Sequence, residues 1–171
     1  MLDKRNFYIN GKWVTPSKPN DFEVINPSNE EPFAIISLGQ KEDTDIAVNA
    51  AKNAFSTWKD TSKEERINLL EKLLKIYKKR FNEMTEAITT EMGSPIDYSS
   101  STHTVSGQSH LEDFILRLKK FNFEEHFDSK SNNYISYEPI GVCGLITPWN
   151  WPINQIALKV VPAIATGCTM I

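Results

Sequence analysis

The sequence predicts an α/β fold, in which a largely helical amino-terminal segment leads into the first strand, helix and strand of a parallel sheet. Apolar residues recur at helical spacing from Ala47 to Trp58. The run from Val142 to Ile146 is instead uniformly apolar, as expected for a strand buried on both faces of a parallel sheet. A second helical stripe, Ile153 to Ile164, and a β-prone run, Thr169 to Ile171, then predict the start of a right-handed βαβ unit.

Composition and charge argue against several classes of protein. Of the 171 residues, 40% are hydrophobic and 24% are charged, which is typical of a soluble globular chain. The net charge is −3, and the 19 basic residues are scattered among 22 acidic ones, so we expect neither nucleic acid nor a membrane as a partner. Because we find neither a signal-peptide pattern nor a run that could span a bilayer, we expect a cytoplasmic protein.

The opening of the chain predicts short strands. Phe7 to Ile9 and Lys12 to Val14 are β-prone runs on either side of Asn10-Gly11. Because this pair tolerates positive φ at the centre of a two-residue turn, the two runs predict a hairpin. Phe22 to Ile25 and Phe33 to Leu38 predict two further strands.

Three helices are predicted next. The first extends from Ile46 to about Trp58. Ser62, with Glu65 three residues later, forms a candidate capping box for the second helix. The apolar residues that continue the inward face of this second helix are Leu70, Leu73, Leu74, Tyr77 and Phe81. A short third helix around Met84 to Ile88 is stopped by Gly93.

A longer helix is predicted from Ile96 to Lys120. The stretch Ser99 to Ser109 is rich in serine and threonine, which alone would indicate a loop, but the apolar residues around it keep helical spacing. His103 and His110 lie seven residues apart, on roughly one helical face. Because no third ligand lies nearby, we expect no metal site and interpret both histidines as solvated or hydrogen-bonded.

A protruding hairpin is predicted after this helix. Phe121 to Phe127 and Asn133 to Glu138 are β-prone runs, and the polar stretch Asp128 to Asn132 separates them. We call this hairpin the arm. It divides the chain into residues 1–120, with the first hairpin, strands and helices; residues 121–140, the arm; and residues 141–171, the first βαβ elements.

The loop from Thr147 to Pro152 is the candidate site. It follows the buried strand at its carboxyl end, where open α/β sheets place their ligands. Pro148 and Pro152 fix φ at both ends of the loop and so restrict Trp149 and Asn150. The amide of Asn150 is a neutral donor, suited to stabilising negative charge that develops on a carbonyl oxygen. A structural interpretation stays open, in which Asn150 caps the helix and the tryptophans fill the core.

At these residues the sequence resembles the aldehyde dehydrogenase superfamily. The segment Gly141 to Pro152, GVCGLITPWNWP, is similar to the family pattern G-V-x-G-x-I-x-P-W-N-[FW]-P. Similarity extends along the chain to the opening hairpin at Tyr8 to Trp13, the strand end at Val24 to Pro27, the helix at Ala50 to Trp58 and the turn at Glu91 to Pro95.

The resemblance implies an oxidoreductase that converts an aldehyde to a carboxylic acid with NAD or NADP, bound on a Rossmann-like sheet. The residues that match the family's cofactor-binding stretch, largely through main chain along the nicotinamide ribose, are Ile146, Thr147, Pro148, Trp149 and Asn150. Asn150 also matches the catalytic asparagine whose amide helps to form the oxyanion hole. In the family a cysteine thiolate attacks the aldehyde, hydride passes from the resulting thiohemiacetal to NAD(P)+, and a glutamate-activated water hydrolyses the thioester that this oxidation forms.

The resemblance also implies that the chain as given is incomplete. The family's nucleophilic cysteine and its glutamate lie far downstream of the P-W-N segment, so neither Cys143 nor Cys168 matches the nucleophile. Both lie in apolar runs, where we expect small buried side chains outside any disulfide framework. We therefore expect the 171-residue chain alone to be inactive. Family members form dimers or tetramers, which implies a homodimer or homotetramer of the full-length protein, bridged in part by the arm.

Two alternatives stay open. The chain could be a non-catalytic remnant or interaction module, or an unrelated helical binding domain in which Trp149 to Pro152 is only a loop. An unpaired final strand argues against the first, because it would leave a sheet edge bare. Coding sequence past Ile171 that continues to a distant cysteine and glutamate would favour the enzyme. The identity of the aldehyde and the choice between NAD and NADP depend on residues outside this chain.

Overall fold

The structure is a computed structural model that describes residues 1–128 and 132–171. Its strands are β1 (Leu2–Lys4), β2 (Phe7–Ile9), β3 (Lys12–Val14), β4 (Asp21–Asn26), β5 (Glu31–Ser37), β6 (Glu124–His126), β7 (Tyr134–Ser136), β8 (Val142–Cys143) and β9 (Thr169–Met170). Its helices are α1 (Lys41–Trp58), α2 (Lys63–Lys79), α3 (Phe81–Met92), α4 (Ile96–Tyr98), α5 (Val105–Lys120) and α6 (Pro152–Ala165). A π-helix, Ser99–Thr104, connects α4 to α5.

The predicted strands of the amino-terminal segment are confirmed. Strands β2 and β3 form the antiparallel hairpin, and Asn10 and Gly11 in its turn have φ of 51° and 73°. Strands β4 and β5 pair antiparallel, while β1 pairs with β5 in parallel. The sequence did not predict β1, because its three residues are all exposed and show no alternation of apolar and polar positions.

Helix α1 begins at Lys41, five residues earlier than predicted from the apolar stripe. Its polar first turn is held by a capping box, in which the carboxylate of Asp43 accepts a hydrogen bond from the backbone amide of Gln40 at 2.9 Å. The same buried carboxylate accepts from the amide of Ser17 at 2.8 Å. These two hydrogen bonds, first that from Gln40 and then that from Ser17, lower the pKa of Asp43. The spacing of apolar residues could not predict the start at Lys41, because the first turn of the helix is polar.

The capping box of α2 and the stop of α3 are confirmed. The Ser62 hydroxyl accepts from the Glu65 amide at 3.2 Å, and the Glu65 carboxylate accepts from the Ser62 amide at 2.7 Å. Helix α3 ends at Gly93, which has φ of 75°. The assignment of Phe81 to the second helix was wrong: the backbone leaves the helical region at Arg80, and Phe81 begins α3.

The long helix predicted from Ile96 to Lys120 is confirmed as α4, the π-helix and α5 in unbroken succession. Two of its hydroxyl-bearing residues, Ser99 and Thr104, are buried against α3. The hydroxyls of Thr85 and Thr104 lie 2.9 Å apart, and Thr89 donates to Ser99 at 2.9 Å. Burial of these paired hydroxyls explains a helix that is polar in composition.

The strand, helix and strand at the end of the chain are confirmed, but the first strand is shorter and less buried than predicted. Strand β8 pairs with β9 in parallel, with α6 between them in sequence. Both residues of β8 are half-buried, and Ile146 is 88% exposed. Within the described residues β8 and β9 form a sheet of two strands, so the prediction of burial on both faces was wrong.

The main core lies between α2, α5 and α6. Its buried residues are Leu70, Leu111, Ile115, Leu118, Ala157, Val161 and Ala165. The arm stands outside this core: β6 and β7 pair antiparallel and are mostly exposed. Its strands confirm the predicted hairpin, while the predicted turn includes residues 129–131, which lie outside the described residues. No helix in the described ranges is long and apolar enough to cross a bilayer.

Candidate active site

The candidate site is the loop Gly144–Trp151, which connects β8 to α6. Its first part is tied to the neighbouring strand, because the Leu145 amide donates to the Ile171 carbonyl at 2.9 Å. Its other end enters α6 with Pro152 as the first helical residue, a position that needs no amide donor. The loop therefore lies where predicted, at the carboxyl end of a parallel strand and the amino terminus of a helix.

The structure exposes the five residues that match the family's cofactor-binding stretch. Ile146 is 88% exposed and Trp149 is 80% exposed. Thr147, Pro148 and Asn150 are exposed as well. Of the two tryptophans that the structural interpretation places in the core, Trp149 is exposed, whereas Trp151 is half-buried against His103. An apolar residue and an indole left this open offer a surface against which a planar ring system could lie.

Asn150 does not cap α6. The cap residue is Trp151, and no side-chain capping hydrogen bond is formed there. The Asn150 side chain is therefore presented at the exposed loop, two residues before the helix begins. The first turn of α6 holds no acidic side chain, so its amino-terminal dipole reinforces a neutral amide donor. This arrangement suits an oxygen atom that gains negative charge.

Trp151 is fixed by an aromatic contact with the π-helix. Its ring lies 4.8 Å from the His103 ring, centroid to centroid, at 59°. On its other side the His103 ring meets Tyr98 at 5.1 Å, edge to face. His103 is 2% exposed, neither ring nitrogen has a hydrogen-bond partner within the described residues, and burial lowers its pKa. The expectation of a solvated or hydrogen-bonded His103 was therefore wrong.

His110 lies on the same face of α5 and is hydrogen-bonded, as expected. Its Nε2 lies 2.9 Å from Nδ2 of Asn154, in the first turn of α6. Neither histidine belongs to a group of three or more potential metal ligands within the described residues. His103 contacts Trp151, directly before α6, and His110 contacts Asn154 in its first turn.

Gly107 permits the close approach of these two helices. A Cβ added to Gly107 would lie 2.7 Å from Cγ1 of Ile153 and 2.6 Å from the Tyr77 hydroxyl. Sequence reasoning missed both Gly107 and the role of Trp151. A signal was available, because a glycine lies four residues after His103 and three before His110, on one helical face.

The two thiols of the chain are poorly placed for nucleophilic attack. Cys168 is 4% exposed and Cys143 is half-buried, and neither forms a disulfide. Burial raises the pKa of Cys143. Burial acts in the same direction on Cys168, but hydrogen bonds from the Thr166 hydroxyl and from backbone amides lower its pKa below the ordinary value. Its lack of access to solvent still separates it from a substrate.

Comparison with known sequences decides the family. The sequence model of the aldehyde dehydrogenase family matches residues 13–171. The chain belongs to this family. A similar curated relative is a 3-succinoylsemialdehyde-pyridine dehydrogenase from a Pseudomonas species, 45% identical over all of this chain but only 35% of the relative's length.

Solved aldehyde dehydrogenase structures have the same fold. The enzyme from Bartonella henselae matches with a TM-score of 0.97 and 53% identity, over 99% of this chain and 36% of its own. Aldehyde dehydrogenase C from Pseudomonas syringae, in complex with NAD+ and octanal, matches with a TM-score of 0.93 and 38% identity, over 97% of this chain and 34% of its own. The chain thus spans about a third of the length of its relatives. The α/β fold class and the family predicted from the sequence are confirmed.

Proposed function

We propose that this chain is the amino-terminal part of an enzyme that oxidises an aldehyde to a carboxylic acid with NAD+ or NADP+. The observation that carries the proposal is the exposed, proline-bounded loop that presents Asn150 at the carboxyl end of β8, in a chain of this family. An asparagine serving only the fold would cap the helix or pack against it, and Asn150 forms no cap.

In this proposal Asn150 stabilises the oxyanion. Its amide donates to the substrate oxygen as negative charge develops there, and the first turn of α6 adds the positive end of the helix dipole. Because donor and dipole are in place before the reaction, little reorganisation is needed when the charge forms. Asn150 contacts only the reacting oxygen of the aldehyde, and the rest of the aldehyde is bound mainly by residues outside this chain.

The residues Ile146 to Trp149 would hold the nicotinamide end of the cofactor. The exposed faces of Ile146 and Trp149 fit a flat group, and the exposed main chain of the loop offers polar contacts to a ribose. When bound, the nicotinamide supplies the electron acceptor for the oxidation. The role of this chain would be to orient the nicotinamide and to hold Asn150 beside it.

The nucleophile is proposed to come from outside this chain. Cys168 is buried, and the raised pKa of Cys143 disfavours the thiolate that attack requires. We therefore expect no turnover from the 171 residues alone.

The arm is proposed to join subunits in the full-length protein. Phe127 and Tyr134 on it are 65% and 62% exposed, and its two short strands leave open edges. Light scattering after size-exclusion chromatography should give a dimer or tetramer. A clean monomer of the full-length protein would leave the arm without this role.

The test of the proposed activity is an oxidation assay on the full-length protein. Octanal and the semialdehyde named for the Pseudomonas relative would each be offered with NAD+ and with NADP+, and formation of reduced nicotinamide followed by absorbance. We expect turnover with at least one pair, and none from the 171-residue chain under the same conditions. A full-length protein that neither binds cofactor nor oxidises any aldehyde would support the non-catalytic alternative.

A further inference from the structure

We infer that His103 is a positioning residue, whose buried ring holds Trp151 and thereby sets the position of Asn150. The inference rests on the proposed function, because it assigns His103 a part in catalysis through Asn150. His103 does not contact substrate in this scheme. Its effect reaches Asn150 through the aromatic contact with Trp151 and the peptide bond that joins Trp151 to Asn150.

The first observation is the enclosure of the ring. His103 is 2% exposed and lies between Tyr98, at 5.1 Å, and Trp151, at 4.8 Å between ring centroids. Neither ring nitrogen has a hydrogen-bond partner within the described residues, although an unsatisfied buried polar group costs free energy. The two aromatic contacts offset only part of that cost. The ring is therefore held by packing against its two aromatic neighbours.

The second observation is that the backbone around His103 is held from several sides. The Ser106 hydroxyl donates to the His103 carbonyl at 2.7 Å, and the Tyr77 hydroxyl donates to the Thr104 carbonyl at 2.8 Å. The Thr104 hydroxyl lies 2.9 Å from that of Thr85 on α3. These bonds secure the end of the π-helix, a form of helix found often at functional sites. His103 is therefore held in place within its own helix, and Trp151 is positioned by packing against it.

The third observation concerns Trp151, which directly follows Asn150. Its backbone, with φ of −139° and ψ of 67°, is not yet helical, and it carries no side-chain capping bond. The start of the loop is tied by the hydrogen bond from the Leu145 amide to the carbonyl of Ile171, the residue after β9. At the end of the loop that leads into α6, the Trp151 indole packs against His103, and this contact restrains the backbone next to Asn150. If the Trp151 ring shifted, the side-chain amide of Asn150 would move with it.

The test compares three versions of position 103 in the full-length enzyme. His103→Ala removes the ring, whereas His103→Phe keeps a ring without nitrogens. Because a displacement of about 1 Å at a catalytic group can cost about 100-fold in rate, we expect His103→Ala to lower kcat by about 10- to 100-fold. The KM for the cofactor should change by less than about 3-fold, because the start of the loop stays tied at Leu145 to the Ile171 carbonyl. His103→Phe should restore most of the lost kcat.

A double substitution separates positioning from general damage. If His103 acts through Asn150, then His103→Ala should lower kcat little further in an enzyme that already carries Asn150→Ala. An equal loss in both backgrounds would overturn the inference. So would wild-type kcat in His103→Ala, or failure of His103→Phe to restore kcat in a stably folded protein.

Hydrogen exchange read by mass spectrometry provides a measurement that does not depend on activity. His103→Ala should speed amide exchange at Asn150 and Trp151, next to the lost contact, and His103→Phe should leave it near the wild-type rate. If exchange in His103→Ala is the same as in the wild type, the contact between His103 and Trp151 does not restrain the loop, and the inference is overturned. If His103→Ala does not fold, Trp151→Ala removes the other ring of the same contact, and this ring is partly exposed. Trp151→Ala then takes the place of His103→Ala in the kinetic and the exchange measurements. An inactive wild-type enzyme would refute the proposed function while this exchange comparison still tested the contact.

Discussion

Replacement of Gly107 by alanine tests how closely α5 must approach the start of α6. The added Cβ would lie 2.6 Å from the Tyr77 hydroxyl and 2.7 Å from Cγ1 of Ile153. Ordinary contact begins at 3.4 Å, so the neighbours must move by about 0.7–0.8 Å. Ile153 is 8% exposed and lies three residues after Asn150, so a shift of the first turn of α6 reaches the site.

The free energy of this change is the balance of two opposed effects. Overpacking of a core costs about 1–3 kcal/mol. Alanine in place of glycine within a helix returns about 1 kcal/mol. We therefore expect Gly107→Ala to lower the free energy of unfolding by about 1 kcal/mol, and to lower kcat by about 10-fold through displacement of Asn150.

The assay is urea unfolding together with steady-state kinetics of the full-length protein. Gly39→Ala is the matched control, because its added Cβ would meet Phe7 at 3.7 Å, an ordinary contact. The control should retain kcat. Wild-type stability and wild-type kcat in Gly107→Ala would together refute the claim that this approach is tight and that it positions the site.

Three further changes test the fold around the site, each by urea unfolding. Tyr77→Phe removes the donor to the Thr104 carbonyl and should cost about 1 kcal/mol, the net contribution of one hydrogen bond. Ser62→Ala should cost about 1 kcal/mol by opening the capping box with Glu65, and unchanged stability would mean that the box contributes nothing. The pKa of Asp43 is lowered in the folded state, so its contribution is present above the ordinary value of 3.8 and is lost as pH falls through the lower folded value. Asp43→Asn should therefore be less stable at neutral pH and lose less stability on acidification, and an acid limb identical to that of the wild type would contradict this.

The sequence predicts the elements whose signals are local. The hairpin turn at Asn10-Gly11 and the helix stop at Gly93 both need positive φ, and their residue types indicate it directly. The capping box of α2 is likewise contained in four residues. Such features need no knowledge of what packs against them.

The features that the sequence did not predict depend on distant partners. Strand β1 has no pattern of its own and exists through its pairing with β5. The burial of Ser99 and Thr104 follows from hydroxyl partners on α3. His103 was expected to be solvated or hydrogen-bonded, because nothing in the sequence shows that Tyr98 and Trp151 enclose it.

The candidate site divides in the same way. The prolines and their position after an apolar run predict a constrained loop, and the loop is where they indicate. The exposure of Trp149 and the absence of an Asn150 cap could not be predicted, because an apolar ring and an amide fit equally well in a core and at a cap. Only the tertiary packing of α5 against α6 separates these interpretations.

The central claim, that this loop presents a catalytic amide, is tested most directly by kcat for Asn150→Ala in the full-length enzyme. Loss of one oxyanion donor lowers kcat by about 100- to 1,000-fold. Asn150 is exposed and forms no cap, so the free energy of unfolding should change by less than about 0.5 kcal/mol. Asn53→Ala, which removes an exposed asparagine from α1, should leave kcat unchanged and raise the free energy of unfolding by no more than about 0.7 kcal/mol, because alanine favours a helix interior. A kcat for Asn150→Ala equal to that of the wild type would contradict the account.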